Sequence, residues 1–196
     1  MKNVIIFFFV LVFSLEAQVS DSKGAIIIAS LEGEVTIVEN DSASPLPANQ
    51  VKTGGLFFEG HTVKTGPTGK VILLMSNGTV STIKPNSSLN FKKFKQEKFD
   101  PNNKKLSELK GEPSASDTVI DLEIGDMILD VKKLDKSSNF NVESPVGTAG
   151  IRGTVPYFQV AQTPDGGFQQ VTSMLKGEIA FTPKGGLAST VLGPGQ

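Results

Sequence analysis

Arg152 is the only arginine in a chain that carries eighteen lysines. It stands in Gly150-Ile151-Arg152-Gly153-Thr154, directly after Ser144-Pro145-Val146-Gly147-Thr148-Ala149. A guanidinium is planar, permanently charged and presents a fork of donors that an ammonium does not reproduce. A lone arginine in so lysine-biased a sequence therefore marks a position that uses this geometry. Two uses fit. A partly buried Arg152 would hydrogen-bond carbonyls or a carboxylate across a strand crossing and lock a corner of a sheet, whereas an open one would clamp an anionic group of a ligand. Gly150 and Gly153 allow close backbone approach or positive φ, and Thr154 opens an apolar strand.

A second group with chemical potential is Lys92, Lys93, Lys95 and Lys98, interleaved with Phe91, Phe94 and Phe99. This mixture suits an anionic lipid or polysaccharide surface, with Phe94 at the centre of the interaction edge. It has neither an arginine fork nor a tryptophan, so it is a poor reader of nucleic acid. The plainer alternative is that the phenylalanines pack on a sheet edge and the lysines are solvated. The acidic stretch that follows, Gly111 to Asp130, could fold back against the basic one. Asp117 with Asp121, and Glu123 with Asp126, could in principle do acid/base work or bind calcium, but their spacing is not that of an EF-hand.

Composition excludes most other chemistry. There is no cysteine, which removes disulfides, thiolate metal sites, thiol catalysis and a lipidated anchor, and His61 is the only histidine. A histidine-built metal centre or a Ser-His-Asp triad is thereby excluded in practice. No catalytic residue, metal ligand or cofactor is expected. The formal net charge of -1 offers no global field for a polyanion, so no nucleic-acid partner is expected either.

The elements that must position these residues are strands. Twenty glycines and eleven prolines punctuate short β-branched and aromatic runs, and no segment sustains a helical period. Strands are expected at residues 25–30, 34–39, 62–65, 70–76, 79–84, 88–91, 118–124, 127–132, 139–143, 154–161, 168–175 and 178–182. Gly60, Gly66, Gly78 and Gly125 fall where strands should reverse. Asn77-Gly78 suits a type I′ hairpin, and Asp165-Gly166-Gly167 another tight reversal. Residues 92–117 read as one long Lys-rich loop inserted between strands, with room for a short helix near 102–110. At the amino end, Lys2 followed by the apolar run from Val4 to Leu15 and then Ala17 reads as a signal peptide, residues 1–17, too short to span a membrane. The mature domain would be residues 18–196.

Several of these pieces, in order, resemble the FecR domain. They are Phe58-Glu59-Gly60-His61-Thr62-Val63-Lys64-Thr65-Gly66, then Gly69-Lys70-Val71-Ile72-Leu73-Leu74, Asn77-Gly78-Thr79-Val80 and Ile83-Lys84-Pro85-Asn86-Ser87-Ser88-Leu89. Leu122-Glu123-Ile124-Gly125-Asp126, Phe140 to Pro145, Gly150 to Thr154 and Leu175-Lys176-Gly177-Glu178-Ile179 continue the series, so the likeness covers about residues 31–182. Two departures stand out. The segment Arg152-Gly153-Thr154-Val155-Pro156-Tyr157-Phe158 is two residues longer than the family's usual Arg-Gly-Thr-x-Phe, and His61 stands where an acid is common. The resemblance implies an all-β, jelly-roll-like sandwich in the periplasm, of the kind that relays the state of an outer-membrane transporter to a sigma factor.

The function expected on these grounds is an exported, non-enzymatic binding or sensing module of the bacterial cell envelope, periplasmic or secreted, accessory to signalling. Its partner would be an envelope protein or glycan. The alternative is a structural surface component that lies on anionic glycan or lipid through the Lys92–Lys98 edge, a peripheral contact without a membrane span.

Overall fold

A computed structural model describes residues 22–100, 105–186 and 188–195 of the chain. The expected signal peptide lies outside the described residues. Fourteen strands and one 3-10 turn, Leu106–Glu108, make up the regular structure, with no α-helix among the described residues. The strands are β1 Ile26–Glu32, β2 Val35–Glu39, β3 Leu56–Phe57, β4 His61–Thr65, β5 Lys70–Met75, β6 Val80–Ile83, β7 Ser88–Gln96, β8 Ser116–Asp130, β9 Asn139–Glu143, β10 Gly147–Ile151, β11 Val155–Gln162, β12 Phe168–Lys176, β13 Ile179–Pro183 and β14 Thr190–Leu192. The all-β expectation is met.

The strands form two sheets that share β8. The first runs β2-β4-β7-β8-β9-β10-β13-β14, and the second β3-β1-β5-β6-β8-β11-β12. Every pairing is antiparallel except β8 with β9. Ile37, Val63, Leu89, Phe91, Ile120 and Phe140 from the first sheet meet Ile28, Leu73, Met75, Ile83, Met127 and Phe158 from the second in one buried cluster. The rings of Phe57 and Phe91 meet edge to face across it, with centroids 5.7 Å apart.

Strand β8 explains how one strand serves both sheets. Ser116, Thr118, Ile120 and Leu122 point inward from its first half, and Gly125, Met127 and Leu129 from its second. The alternation changes phase at Glu123 and Ile124, which are both exposed. One extra residue in a strand moves its inward set to the other parity. The bulge therefore lets β8 leave the first sheet, where it pairs with β7 and β9, and enter the second, between β6 and β11, with apolar residues inward on both sides. Gly125 takes φ 96° at this bend, and a Cβ there would lie 2.5 Å from the Ser87 Cα. The expected reversal at Gly125 is thus corrected: two short strands are one long bent strand.

Residues distant in sequence tie the bend down. The Asp126 N–H donates to Ser87 Oγ at 2.9 Å, the Ser87 N–H donates to Thr65 Oγ1 at 2.9 Å, and Thr65 Oγ1 donates to the Lys84 carbonyl at 2.7 Å. Thr65, Pro85-Asn86-Ser87 and Gly125-Asp126, three of the sequence landmarks, are one structural knot. On its outer side the Tyr157 hydroxyl donates to Asp126, and Lys84 Nζ sits 5.1 Å from the Tyr157 ring centroid.

That hydrogen bond to Asp126, helped by burial, pushes the Tyr157 phenol up from its ordinary value near 10 to about 12. Tyr157 is the only tyrosine and there is no tryptophan, so an absorbance titration sees this group alone. Tyrosinate should form near pH 12 in the folded protein and at lower pH in Asp126→Asn. A pKa raised by folding stabilises the fold below the unfolded phenol's pKa and loses that contribution as pH climbs through the folded one.

The hairpin expected at Asn77-Gly78 exists, but not as a type I′ turn. Gly78 has φ 86° while Asn77 is not in the positive-φ region, the Gly78 N–H donates to the Met75 carbonyl, and the Met75 N–H to the Thr79 carbonyl. This is a three-residue loop closed by a glycine bulge. Asn77 is fully buried, and its Oδ1 accepts from the Thr79 N–H at 3.1 Å. Thr163 to Gly167, with Gly166 at φ 85°, repeats the same hydrogen-bond pattern. Gly60, with φ 83°, leads into β4, and Gly66 opens the tight turn to β5, its carbonyl accepting from the Gly69 N–H at 2.9 Å.

Candidate functional site

The Lys-rich segment is not a loop from residue 92. Strand β7 continues to Gln96, so Lys92, Lys93, Phe94 and Lys95 lie in a strand that pairs with β8 on one side and has β4 beside its first half and residues 22–24 beside its second, and the connection begins only after it. The sequence suggested a loop because lysine is a weak strand former; the strand forms because Phe91 and Phe94, both fully buried, supply its inward anchors. A bulge between Phe91 and Lys93 puts both rings inside although they are three residues apart.

The lysines meet the acids of the neighbouring strands. Lys92 Nζ lies 2.5 Å from Asp121 and 2.9 Å from Glu143, Lys93 pairs with Asp117, and Lys95 is 3.0 Å from Glu59. Asp121, then Glu143, hold the Lys92 ammonium above the usual lysine range against a small burial cost. Glu59 also accepts the Phe94 N–H at 2.8 Å. The acidic stretch does fold back against the basic one, as β8 against β7. Lys98 stands exposed beyond the strand, and among the described residues no acid pairs with it. The four lysines therefore do not make a free basic edge: three occupy an interior strand with their charge balanced locally.

The remaining acids are engaged as well. Ser88 donates to Glu123 at 2.6 Å, and Asp126 holds Tyr157. His61 Nδ1 lies 3.1 Å from the Phe58 carbonyl, and its ring meets Phe57 edge to face. Among the described residues no group of three His, Cys, Asp or Glu side chains could hold a metal ion.

The Gly150–Thr154 motif presents something different. On the outer face of the first sheet, Asn141, Gly150, Ala180 and Val191 stand opposite one another across β9, β10, β13 and β14. Two of these four carry almost no side chain, and the result is a trough of about 380 Å³ walled by Asn139 and Asn141, with Arg152 and Glu178 at one end. A Cβ on Gly150 would meet nothing nearer than Asn141 Oδ1 at 3.7 Å, and Gly150 has no positive φ. Neither expected reason for this glycine applies, since it leaves the trough floor open. Gly153 does meet its expectation, with φ 79° and a would-be Cβ 3.0 Å from the Lys133 Cα. Thr154 is buried, directly before β11.

Arg152 is exposed, which corrects the partly buried corner lock. One nitrogen, Nη2, donates to the Lys136 and Asp135 carbonyls at 3.3 and 3.5 Å, and the residue lines the trough end. The side chains of Asn141 and Glu178 are engaged by no other described residue. Arg152→Lys should consequently move the denaturation midpoint little, by less than about 1 kcal/mol, because long hydrogen bonds at an exposed site contribute little. Sequence reasoning singled out Gly150 and Arg152 but missed Asn141, Glu178 and Ala180, whose types carry no signal until the strands align them.

Comparison with known proteins gives three results. No curated protein matches the chain. Two crystal structures of a candidate anti-sigma factor from Parabacteroides distasonis ATCC 8503 are similar over 68% of this chain and 51% of theirs, each with a TM-score of 0.47, at 11% and 12% identity. The similarity thus spans about half the length of those chains. The family model for the FecR protein matches residues 61–180, from the start of β4 to the start of β13, more than half of the chain. This protein belongs to the FecR family.

Proposed function

We propose that the protein is an exported, non-enzymatic binding or sensing module of the bacterial cell envelope, accessory to signalling, on a jelly-roll-like scaffold of two sheets around one core. Its binding site is the trough over Gly150. The observation that carries this reading is the set of polar groups Arg152, Asn141 and Glu178, of which Arg152 is held only by two long bonds from one nitrogen, placed around an open, nearly side-chain-free floor at a family landmark. A few convergent polar groups over an apolar base is the usual make-up of a recognition site. Arg152 would take a carboxylate or other anion of an envelope protein or glycan, and Asn139 and Asn141 its amides or hydroxyls. The alternative contact through Lys92–Lys98 is less well supported, because three of those lysines already face acids.

Filling the trough tests the reading. Gly150→Phe places a ring on the outer face with no backbone strain, so it should leave melting unchanged while lowering retention on isolated envelopes by roughly tenfold or more, the loss of at least one good contact. Retention equal to the parent's removes the trough from the proposal. In-cell cross-linking from position 152 then identifies the partner: a membrane regulator of a sigma factor supports the signalling role, and glycan alone a surface role.

A further inference from the structure

The two sheets have four outer edges, and three are blunted. β3 has two residues and β14 three. β2 is covered by its own chain, where Pro45 bridges Val38 and the Leu46 N–H donates to the Ile37 carbonyl at 2.7 Å. The fourth, β12, is nine residues long and pairs only with β11. Natural edges of that length are normally guarded by proline, by charges along the strand or by a mid-strand bulge. Phe168-Gln169-Gln170-Val171-Thr172-Ser173-Met174-Leu175-Lys176 has no proline and only a terminal charge, and its one irregularity against β11 lies at its far end. Val171 is 50% and Leu175 65% exposed.

We propose that β12 is a self-association edge, pairing antiparallel with β12 of a second copy about a two-fold axis so that the second sheets of the two copies run on as one. Charge selects this occupant. The strand's only charge, Lys176, lies at one end, and Asp165 lies in the turn before the other end; antiparallel pairing brings the Lys176 of each copy to the Asp165 turn of its partner and opposes no like charges. Closure supports it too. Pairing β12 with itself is isologous and stops at a dimer, whereas pairing with any other edge would run on as a fibre. With Lys176 beside the partner's Asp165 turn the axis falls near Val171, so the exposed Val171 side chains of the two copies meet there.

Sedimentation of the folded domain over a hundredfold concentration range tests this. The parent should pass from monomer to dimer. Val171→Lys and Val171→Glu, each setting like charges beside the axis, should be monomeric and melt like the parent at concentrations where the parent is itself monomeric, and their equimolar mixture should recover the dimer. A parent that stays monomeric at high micromolar concentration overturns the proposal and leaves the edge to a strand from a different protein. A Val171→Lys variant that dimerises like the parent overturns it as well. Neither result bears on the trough, whose residues lie on the other sheet.

Discussion

Replacing Gly125 with alanine should lower the unfolding free energy by about 2–6 kcal/mol. Forcing a side chain into φ 96° contributes about 1–3 kcal/mol of that. Overlap with Ser87 contributes about 1–3 kcal/mol more, because the added Cβ would fall 2.2 Å from Ser87 Oγ, 2.6 Å from its Cβ and 2.5 Å from its Cα. The Cα is backbone, so trimming the side chain in a Ser87→Gly background should not rescue the variant. Denaturant melts of the parent, Gly125→Ala, Ser87→Gly and the double variant give the answer directly. Gly150→Ala is the control: with its nearest neighbour at 3.7 Å and ordinary φ, it should stay within about 1 kcal/mol of the parent. A Gly125→Ala protein as stable as that control would show that the bend does not depend on glycine.

Phe94→Ala should cost about 3–5 kcal/mol, the range for emptying a buried aromatic site. The ring is fully buried, and it fills the space above Gly24, where a Cβ would lie 2.5 Å from it. Reversing Lys92, Lys93, Lys95 and Lys98 together to glutamate would be nearly free if they lay in a solvated loop. On β7 the new carboxylates at 92, 93 and 95 instead face Asp121, Glu143, Asp117 and Glu59, so the variant should lose about 1–3 kcal/mol, modest because most of these groups are part-exposed. That loss should shrink in high salt, whereas the Phe94→Ala loss should not. Lys98→Glu alone tests a basic surface contact without disturbing any of these pairs. An eightfold-salt series in which the quadruple variant melts like the parent throughout would contradict the pairing of β7 with its acidic neighbours.

Much of the fold was legible because most strands carry their own evidence. Lys70–Met75, with alternate residues buried, and the glycine-marked hairpins at Gly78 and Gly166 could be read locally. What escaped depends on partners far along the chain. β10 reads Gly-Thr-Ala-Gly-Ile, a sequence with little strand propensity that is held between β9 and β13. β7 hid its second half behind lysines whose acids lie far off in the chain, 24 residues on at Asp117 for Lys93 and 51 on at Glu143 for Lys92. The β8 bend looked like a turn because a glycine between two apolar runs has the same local signature whether the strand reverses or changes sheet.

The same distinction governed the site. Arg152 stood out by type alone, and its exposure followed only from the register that lays β9, β10, β13 and β14 side by side. Gly150 stood out as a glycine but for reasons that the backbone does not bear out. Its importance lies in what the missing side chain leaves open, and that depends on Asn141 and Ala180 being opposite it.

Strand β8 also divides the molecule in time. Everything before it in the chain, β1 to β7, lies on one side of it in both sheets, and everything after it, β9 to β14, lies on the other. A chain emerging amino end first would therefore complete one half of both sheets as soon as residue 130 is free, with β8 as a temporary double edge. The later strands can then add outward from it in two directions, β9, β10, β13 and β14 onto its first half and β11 and β12 onto its second. The topology thus permits folding from the amino end, with both halves of β8 unpaired on their far side until the later strands arrive. A chain cut in the connection after Asp130 should give two fragments that complement each other along a single seam.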